Sequence, residues 1–304
     1  MPGARRLAIC VSTYRRPNGL RRLLQGIENL RFDLAAAPET RVVVADNDPS
    51  GSAQEVCREF AGTRLLLDYR IEPARGIPQA RNATLDMART AGADLMAFID
   101  DDEEPTPGWL DNMIAAMDAF DADVVHGHVE PRLPANAPAW IVEENYFRPP
   151  RYATGDRRAA GYTNNLLVKR GVFDALGGFE PSWALCGGTD TLLFSKAFQA
   201  GFRIVACREA VVYEDIEPRR MNASWLLKRA FRIGMTSGRV KLTLRRGLRS
   251  RGETVARGFF LAAGAGARLA AARDRRKRFA AARAGAVAIG ILSAAFGLNY
   301  QEYR

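Results

Sequence analysis

Short apolar runs alternate with amphipathic stretches along the first hundred residues of the chain. Each apolar run is followed at once by polar or turn-forming residues, and the stretches between the runs carry apolar residues at helical spacing, as in Leu20, Leu23, Leu24 and Ile27. This alternation is typical of βα units in the α/β class, with a mainly parallel sheet and helices on its faces. The predicted strands are residues 7–11, 41–45, 65–69 and 95–99, and the predicted helices begin at Asn18, near residue 52 and near Gln79.

The second hundred residues are less regular but continue the same pattern. A helix is predicted from Pro107 to about Phe120, and a helix that follows Gly187-Gly188 is predicted to end at Gly201. Residues 131–160 are rich in Pro and Arg and are expected to form a long loop, a type of segment that often acts as a lid. Further strands are predicted at residues 124–129, 163–168, 202–207 and 210–213, with a short helix at 172–176.

From Ser224 onwards the pattern becomes helical, rich in Ala and Gly, and strongly basic. Residues 219–304 hold 20 Lys and Arg against three Asp and Glu, a balance of +17, whereas residues 1–218 have a balance of −7. We therefore predict two parts, a catalytic domain at 1–218 and a basic helical extension at 219–304.

A basic extension next to an acidic catalytic domain is expected to bind an anionic partner, either nucleic acid or a membrane surface. Nucleic-acid-binding arms are usually polar throughout, so the Ala/Gly-rich stretches favour an anionic inner-leaflet membrane surface and no nucleic acid. The uncharged stretch at residues 284–300 has 17 residues, whereas about 20 are needed to span a bilayer. The helices are expected to lie on the membrane, and a bundle with a solvated basic face is the alternative.

Several site classes are poorly supported by the composition. The four cysteines lack metal-ligand spacing and are expected to be reduced thiols of a cytosolic protein, since no secretory signal precedes Leu7. His126 and His128 are the two histidines, too few for most histidine-based metal sites. Neither a Gly-x-Gly-x-x-Gly loop nor a Gly-Lys-Ser/Thr phosphate loop occurs at the strand ends, so metal and arginines would have to bind any phosphate.

Three consecutive aspartates, Asp100, Asp101 and Asp102, follow the apolar run that ends at Ile99. In open α/β sheets, ligands bind outside the carboxyl ends of strands. Crowded carboxylates raise one another's pKa unless a cation lies between them, and Mg²⁺ and Mn²⁺ bind carboxylates together with substrate phosphates. A metal–diphosphate site is one interpretation of this stretch, and a solvated acidic loop is the other.

Five separate stretches resemble family 2 glycosyltransferases in order and spacing, over about residues 5–240. The resemblance is closest to bacterial exopolysaccharide enzymes of the succinoglycan glucosyltransferase type. Each motif alone is weak, but each lies at the end of a predicted strand or the start of a helix. The stretches are Val11-Ser-Thr-Tyr-Arg-Arg-Pro17, Val44-Ala-Asp-Asn47, Gly76-Ile-Pro-Gln-Ala-Arg-Asn82, Phe98-Ile-Asp-Asp-Asp102 with Trp109, and Gly187-Gly-Thr-Asp190.

The resemblance implies a GT-A fold and inverting transfer of a hexose from a nucleotide sugar, with a UDP-sugar as the expected donor and Mn²⁺ or Mg²⁺ as the cofactor. By the same resemblance, Asp190 would be the catalytic base, Asp102 a direct metal ligand, and Asp100 would face the ribose or the metal's waters. Glu214 would replace the late histidine that many members carry as a further metal ligand. The residues expected to bind the nucleotide sugar are Thr13, Tyr14, Arg15, Asp46, Asn47, Arg75, Arg81, Asp100, Asp101, Asn165 and Trp183.

Simpler structural roles remain open for several of these residues. Asp190 is also suited to be a helix N-cap, and Asp46 a turn acid after a strand. Glu214 could pair with Arg219 or Arg220. Trp183 is as well suited to a core as to stacking on a sugar. Other open roles are a turn for Asn164 and Asn165, a solvated helix face for Arg81, an outward-pointing side chain for Asp101, and an acceptor cleft or a plain strand face for His126 and His128.

The leading hypothesis is an enzyme that extends a lipid-linked oligosaccharide at the cytoplasmic face of the inner membrane, as a peripheral protein. It would add one sugar per encounter, because several spanning helices and the Gln-x-x-Arg-Trp motif of processive synthases are absent from the sequence. The family's Glu-Asp pair is Thr189-Asp190 here. That departure motivates an alternative, a non-catalytic protein that binds nucleotide sugars or anionic surfaces and keeps the fold.

Overall fold

The computed structural model describes residues 5–184 and 186–298, which form two compact units. The first unit holds the described residues up to Arg132, residues 147–184 and residues 189–215. The second unit holds residues 133–146, residues 186–188 and the described residues from Ile216 onwards. The second unit thus takes in two segments that precede residue 218 as well as the basic extension.

Among the described residues, the first unit is built on one sheet of eight strands. The order across the sheet is β3-β2-β1-β4-β7-β6-β8-β5. Strands β1 to β4 run parallel, β7 is antiparallel to both β4 and β6, and β6 is parallel to β8. The strands are β1 (Arg6–Thr13), β2 (Glu39–Asp46), β3 (Leu66–Ile71), β4 (Leu95–Ile99), β5 (Glu103–Pro105), β6 (Val124–Arg132), β7 (Asn165–Lys169) and β8 (Ile204–Asp215).

Helices cover both faces of this sheet, as the alternating pattern predicts. On one face, Leu20, Leu23 and Leu24 pack with Trp109 and other buried residues against the strands. On the other face, Leu85 packs in a cluster that includes Phe98, Phe173 and Phe179. The helices of this unit are α1 (Pro17–Glu28), α2 (Gln54–Glu59), α3 (Ile77–Thr90), α4 (Trp109–Ala119), α6 (Arg170–Leu176) and α7 (Thr189–Gln199).

Three details of the predicted elements are wrong. The two strands expected at residues 202–207 and 210–213 are one strand, β8, which continues through the exposed residues Arg208 and Glu209 beside a register shift in β6 between His126 and His128. Part of the acidic stretch forms β5, paired with β8. The loop expected at residues 131–160 contains a helix, α5 (Ala139–Glu144). These elements depend on partners distant in sequence, which local patterns do not report.

The second unit contains three long helices, α8 (Ala223–Leu244), α9 (Leu248–Ala271) and α10 (Arg275–Ala295). Asn222 and Asp274 cap the first and third of these by accepting hydrogen bonds from Trp225 N and Lys277 N. Helices α8 and α10 approach closely, since a Cβ atom on Gly290 would lie 2.1 Å from the backbone oxygen of Phe231. Small residues therefore allow the two backbones to touch.

Helix α5 belongs to this helical unit through aromatic and charged contacts. The rings of Trp140 and Tyr146 meet Phe279 edge to face, with centroids 5.4 and 5.6 Å away. Arg276 forms ion pairs with the carboxylates of Glu143 and Glu144. Residues 133–146 therefore pack with the start of α10.

One helix among the described residues is long and apolar enough to cross a membrane by length and composition alone. It is α10, with a mean hydropathy of 1.3 over its most apolar window, of which 33% is buried in the protein. A core helix of a water-soluble domain meets the same criterion.

Candidate functional site

The carboxyl ends of three neighbouring parallel strands bring the predicted donor-binding residues to one edge of the sheet. Thr13 ends β1 and lies opposite Asp46 at the end of β2. Strand β4 pairs with β1 on the other side and ends at Ile99, directly before Asp100. The sheet register therefore places Thr13, Asp46 and the aspartates together, as the strand-end argument predicts.

The three consecutive aspartates differ in direction and environment. Asp101 is 4% exposed, and its carboxylate accepts hydrogen bonds from Thr13 Oγ1 at 2.7 Å and from Arg16 Nη1 at 3.0 Å. Burial raises the pKa of Asp101, although Arg16 opposes the shift. The side chain of Asp101 therefore ties the acidic loop to the end of β1 and to Arg16.

Asp100 and Asp102 face more open space and each has an arginine close by. Arg81 Nη2 lies 3.6 Å from Asp100 Oδ1, and Arg16 Nη1 lies 2.9 Å from Asp102 Oδ2. The Asp100 side chain keeps 40% of its surface accessible. Loss of solvation among the strand ends nevertheless raises the pKa of Asp100 to about 7, with Arg81 opposing the shift and Asp102 adding to it.

A fourth acid, Glu103, lies almost completely buried next to Asp100. Its carboxylate accepts hydrogen bonds from the backbone N of Asp100 at 3.1 Å and from Asn164 Nδ2 at 3.2 Å. Glu103 pairs with Glu214 across β5 and β8. Burial, followed by the charge of Asp100, raises the pKa of Glu103 well above its usual value. Glu214 therefore lies beside this acidic group, as a metal-ligand role would require.

The acidic group suits a divalent cation that arrives with a phosphate ligand. In the part of the chain that the structure describes, no three or more His, Cys, Asp or Glu side chains form a metal-binding group on their own. Mg²⁺ is usually held by one or two carboxylates together with substrate phosphates. Asp100 and Asp102 offer hard oxygen ligands of this kind, and a cation would offset the repulsion from neighbouring carboxylates, which adds to the effect of burial in raising the pKa of Asp100.

The residues predicted to surround the nucleotide differ in their exposure and in the hydrogen bonds that hold them. Tyr14 is 49% exposed and Arg75 is also exposed. Arg15 adopts a positive φ of 54° and donates from Nε to Asp48 Oδ2 at 3.0 Å. The Asp46 carboxylate is fully buried and accepts from the backbone N atoms of Asp48 and Ala53 and from the Tyr69 hydroxyl, as a turn acid would.

Asn47 organises the loop that leads into α3. Its side chain donates to the carbonyl oxygens of Glu72 and Ala74 and accepts from the backbone N of Gly76. Gly76 has a φ of 138°, which only glycine adopts readily. Asn47 and Gly76 therefore fix the start of α3, from which Arg81 reaches Asp100.

Asn165 lies in the same region but is fully buried and bonded within the protein. It accepts from Trp109 Nε1 at 2.7 Å and donates to the carbonyl oxygens of His128 and Ala210, each at 3.0 Å. These contacts explain Asn165 as a residue that joins β6, β7 and β8. Its predicted contact with the donor sugar has no support in this geometry.

Trp183 is 4% exposed and sits in a single 3-10 turn, Pro181–Trp183. This turn packs near the start of α3, where a Cβ atom on Gly76 would lie 2.8 Å from Cβ of Ala184. The burial of Trp183 is that of a core residue, and stacking on a sugar stays a prediction.

Asp190 lies in the first turn of α7 and is partly accessible. Its Oδ1 accepts from the backbone N of Thr191 at 2.7 Å. Across the described chain, no protein donor bonds to its Oδ2, which is left to accept from another molecule. Its negative charge contributes to the raised pKa of Tyr162, for which burial is the larger cause.

The short segment between Tyr162 and Asn164 links Asp190 to the acidic group. The charge of Asp190 contributes to the raised pKa of Tyr162. Asn164, two residues after Tyr162, donates a hydrogen bond to the carboxylate of Glu103. The Tyr162 ring also meets the His126 ring edge to face at 5.6 Å, and burial lowers the pKa of His126 to about 3.

The residue patterns did not single out Arg16 and Glu103, which the structure places in the acidic group. The position of each in the sequence could have indicated it. Arg16 directly follows Arg15 in the loop after β1, and Glu103 continues an unbroken acidic run from Asp100 to Glu104. Which member of each run turns towards the acids depends on packing between distant segments, so the run alone does not select it.

Comparison with known proteins places this geometry in a family. Residues 8–176 match the family described as glycosyl transferase family 2. The succinoglycan biosynthesis protein ExoM of Rhizobium meliloti is 34% identical over 248 residues, which cover 79% of this chain and 77% of that protein. The glycosyltransferase AglE of Haloferax volcanii is 24% identical over 229 residues, covering 75% of this chain and 71% of that protein.

Solved structures share the fold at low identity. The mannosyltransferase PcManGT of Pyrobaculum calidifontis, solved with GDP-Man and Mn²⁺, superposes with a TM-score of 0.67 at 19% identity, covering 96% of this chain and 88% of that chain. S. aureus TarS residues 1–349, solved with UDP, gives a TM-score of 0.55 at 15% identity, covering 97% and 93%. These similarities confirm the expected GT-A fold, and with the family match and the identity to ExoM they show that this chain belongs to glycosyl transferase family 2 and is a glycosyltransferase.

Proposed function

We propose that this glycosyltransferase moves a hexose from a nucleotide-diphosphosugar, a UDP-sugar in the first instance, to a lipid-linked or oligosaccharide acceptor, inverting the anomeric centre with the help of Mn²⁺ or Mg²⁺. Its setting would be bacterial exopolysaccharide or cell-surface glycan synthesis. The succinoglycan biosynthesis protein among its relatives supports this setting. Related structures contain GDP-Man with Mn²⁺, or UDP, and these ligands support a nucleotide-sugar donor and a divalent cation.

The observation that carries the proposal is the pair of accessible acids, Asp100 and Asp102, flanked by Arg81 and Arg16 at the end of β4. A diphosphate leaving group gains negative charge as the sugar bond breaks. The arginines would bind diphosphate oxygens, and a divalent cation bound with the donor would supply further positive charge there. Tyr14 and Arg75 are exposed near this edge and could contact the nucleotide.

Asp190 is the proposed general base. Its Oδ2, which lacks a protein donor, would accept the proton of the acceptor hydroxyl. The acceptor oxygen would then attack the anomeric carbon, and the bond to the diphosphate would break with its electron pair leaving on the nucleotide diphosphate. A single displacement of this kind inverts the configuration.

We place the enzyme on the cytoplasmic face of the inner membrane as a peripheral protein. The strongly basic extension would bind the anionic inner leaflet, where a lipid-linked acceptor would also lie. We also propose transfer of one sugar per encounter, because the Gln-x-x-Arg-Trp motif of processive synthases is absent from the sequence.

A transfer assay with purified protein tests the catalytic assignment. The protein would be given labelled nucleotide sugars, Mn²⁺ or Mg²⁺ and a membrane lipid extract. Loss of a general base typically lowers the rate by about 10²- to 10⁴-fold. We therefore expect Asp190→Asn to transfer sugar at least about a hundredfold more slowly than the parent protein, while its affinity for the nucleotide stays unchanged.

Asp33→Asn is the matched control, because Asp33 is an exposed acid in the same unit and is expected to leave the rate unchanged. Equal transfer by the Asp190→Asn variant and the parent protein would show that another group is the base. Nuclear magnetic resonance of the product determines the anomeric configuration, and retention would contradict the single displacement.

A further inference from the structure

Helix α9 has one buried face and, opposite to it, one exposed face that is apolar. One face is buried in the second unit and includes Ser250, Thr254, Gly258 and Ala265. The opposite face is exposed, and its residues recur at spacings of three and four, as expected for one side of a helix. We call this face the outer stripe, and it consists of Leu248, Gly252, Ala256, Phe259, Phe260, Ala263, Ala267 and Ala270.

The large side chains of the outer stripe are unusually accessible. Leu248 is 86% exposed, Phe260 79% and Phe259 58%. Single exposed apolar residues are normal on a protein surface, but apolar residues that share one face mark a contact with another molecule or a membrane. Arg249 lies on the same face in the first turn of α9, but from Gly252 to Ala270, about five helical turns, the outer stripe contains no charged residue, so its partner is expected to be apolar at the contact.

Most charges of α9 lie beside the outer stripe, and almost all are positive. With 100° per residue, Arg257 and Arg268 fall along one edge of the stripe together with Glu253, Arg251 falls along the other edge, and Arg249 falls on the stripe at the start of the helix. Glu253 is the one acid of the helix, and its carboxylate lies 3.1 Å from Lys241 Nζ and 3.4 Å from Arg249 Nε. An apolar stripe between two basic edges is the arrangement of helices that lie in the interface of an anionic bilayer.

The charge pattern also decides between a membrane and a second copy of the chain. Two copies that met through the outer stripe would bring the arginines of both molecules together, and the like charges would repel. Anionic headgroups would instead neutralise these arginines, whose long stems can follow the apolar surface while the guanidinium groups reach the headgroups.

We infer that the outer stripe of α9 docks flat into the headgroup region of an anionic membrane, with Phe259 and Phe260 as its anchors. This inference rests on the proposed membrane location, but it assigns the contact to one helix face. Helix α10 is the more hydrophobic element, yet its Gly290 packs against the backbone of α8. The membrane contact therefore belongs to α9, and α10 supports it from inside the unit.

Vesicle co-sedimentation tests this assignment without any need for catalysis. The full chain would be mixed with vesicles of phosphatidylethanolamine and phosphatidylglycerol, and separately with phosphatidylcholine vesicles. We expect binding to the anionic vesicles only. Burial of one Phe side chain contributes enough for roughly a tenfold change in partitioning, so Phe259→Ser with Phe260→Ser should weaken binding by at least about tenfold.

Leu34→Ser is the matched control, because Leu34 is 67% exposed in the first unit and should leave vesicle binding unchanged. Circular dichroism and the unfolding temperature confirm that each variant is folded. If the double variant unfolds, Phe260→Ser alone replaces it, since Phe260 is 79% exposed and supports little of the core. Binding equal to that of the parent protein would overturn the inference.

A second pair of variants tests the basic edges. Each arginine near an anionic surface contributes about a fivefold change in binding, so Arg257→Gln with Arg268→Gln should lower binding by roughly 25-fold at low salt. Arg64→Gln, an exposed arginine of the first unit, is the charge control and should have little effect. Equal losses for Arg64→Gln would show that total charge, rather than the edges of the outer stripe, drives binding.

Two further outcomes would also overturn the inference. Light scattering could detect a dimer that the double Phe variant dissociates, and the outer stripe would then be an interface between copies. Resistance of the membrane-bound protein to alkaline carbonate would indicate a spanning helix. Donor hydrolysis and transfer to a water-soluble acceptor are expected to be unchanged in the Phe variant, which separates failure of this inference from failure of the proposed function.

Discussion

Asn165 uses both its carbonyl oxygen and its amide group inside the first unit. It accepts from Trp109 Nε1 and donates to two backbone carbonyl oxygens, those of His128 and Ala210. Gly127 allows this arrangement, since a Cβ atom there would lie 2.4 Å from the Asn165 amide. One asparagine side chain therefore occupies the space beside the register shift of β6.

We predict that Asn165→Ala destabilises the protein by roughly 2–4 kcal/mol, because it leaves three buried polar groups without partners. Urea-induced unfolding measures the loss. Asn29→Ala, at an exposed helix end, is the control and should cost less than about 1 kcal/mol. A variant at Asn165 with full stability but weak nucleotide affinity would instead support the donor-binding role predicted for it.

Helix α1 positions the acidic loop through the absence of a side chain at Gly19. A Cβ atom on Gly19 would lie 2.5 Å from the backbone oxygen of Asp101. The same helix follows Arg16, which bonds to Asp101 and Asp102. The first turn of α1 thus sets both the position of the loop and the direction of its acids.

Gly19→Ala should therefore move the loop, at a cost of about 1–3 kcal/mol in stability and with weaker nucleotide binding. Gly171→Ala in α6 is a matched control, because no atom lies within 4 Å of the added Cβ and alanine favours a helix. We expect that control to gain up to about 1 kcal/mol. Calorimetry of both variants, with and without UDP and Mn²⁺, checks these values. Equal changes in stability and in nucleotide binding for the two variants would show that the contact between Gly19 and Asp101 is unimportant.

The stability of the whole molecule is expected to depend on the protonation of its buried acids. Burial raises the pKa values of Asp100, Asp101 and Glu103, so the folded protein holds protons that the unfolded chain releases. Stability from Asp100 therefore falls as the pH rises from about 4, the pKa of an unfolded aspartate, to about 7, its pKa in the fold. The low pKa of His126 acts in the opposite direction as the pH falls below about 6.5.

We predict that Asp100→Asn stabilises the cation-free protein at pH 8 relative to the parent, and that the advantage disappears towards pH 4. The two proteins share the His126 effect, so the difference between their unfolding temperatures reports Asp100 together with its coupling to the neighbouring acids such as Glu103. Scanning calorimetry in chelator at several pH values measures it. An advantage that does not change between pH 4 and pH 8 would show that folding leaves the pKa of Asp100 unchanged.

The sequence by itself determined the order of the elements, the family and the residues that lie at the strand ends. The apolar runs that became β1, β2 and β4 are local patterns, and Thr13, Asp46 and Asp100 end or directly follow those strands. Parallel strands share one carboxyl edge, so the sequence was sufficient to bring these residues together. It also determined the basic character of the extension, since the net charge of a segment follows from its composition and does not depend on how it folds.

Only the tertiary structure decided which neighbour in a run faces which way. Asp101 turns towards Thr13 while Asp100 lies near Arg81, and Glu103 is buried beside Glu214 on a strand that no local pattern predicts. Arg16 rather than Arg15 bonds to the acids, and the outer face of α9 remains apolar after packing. Each of these outcomes depends on contacts between segments far apart in the chain, and a sequence pattern records only near neighbours.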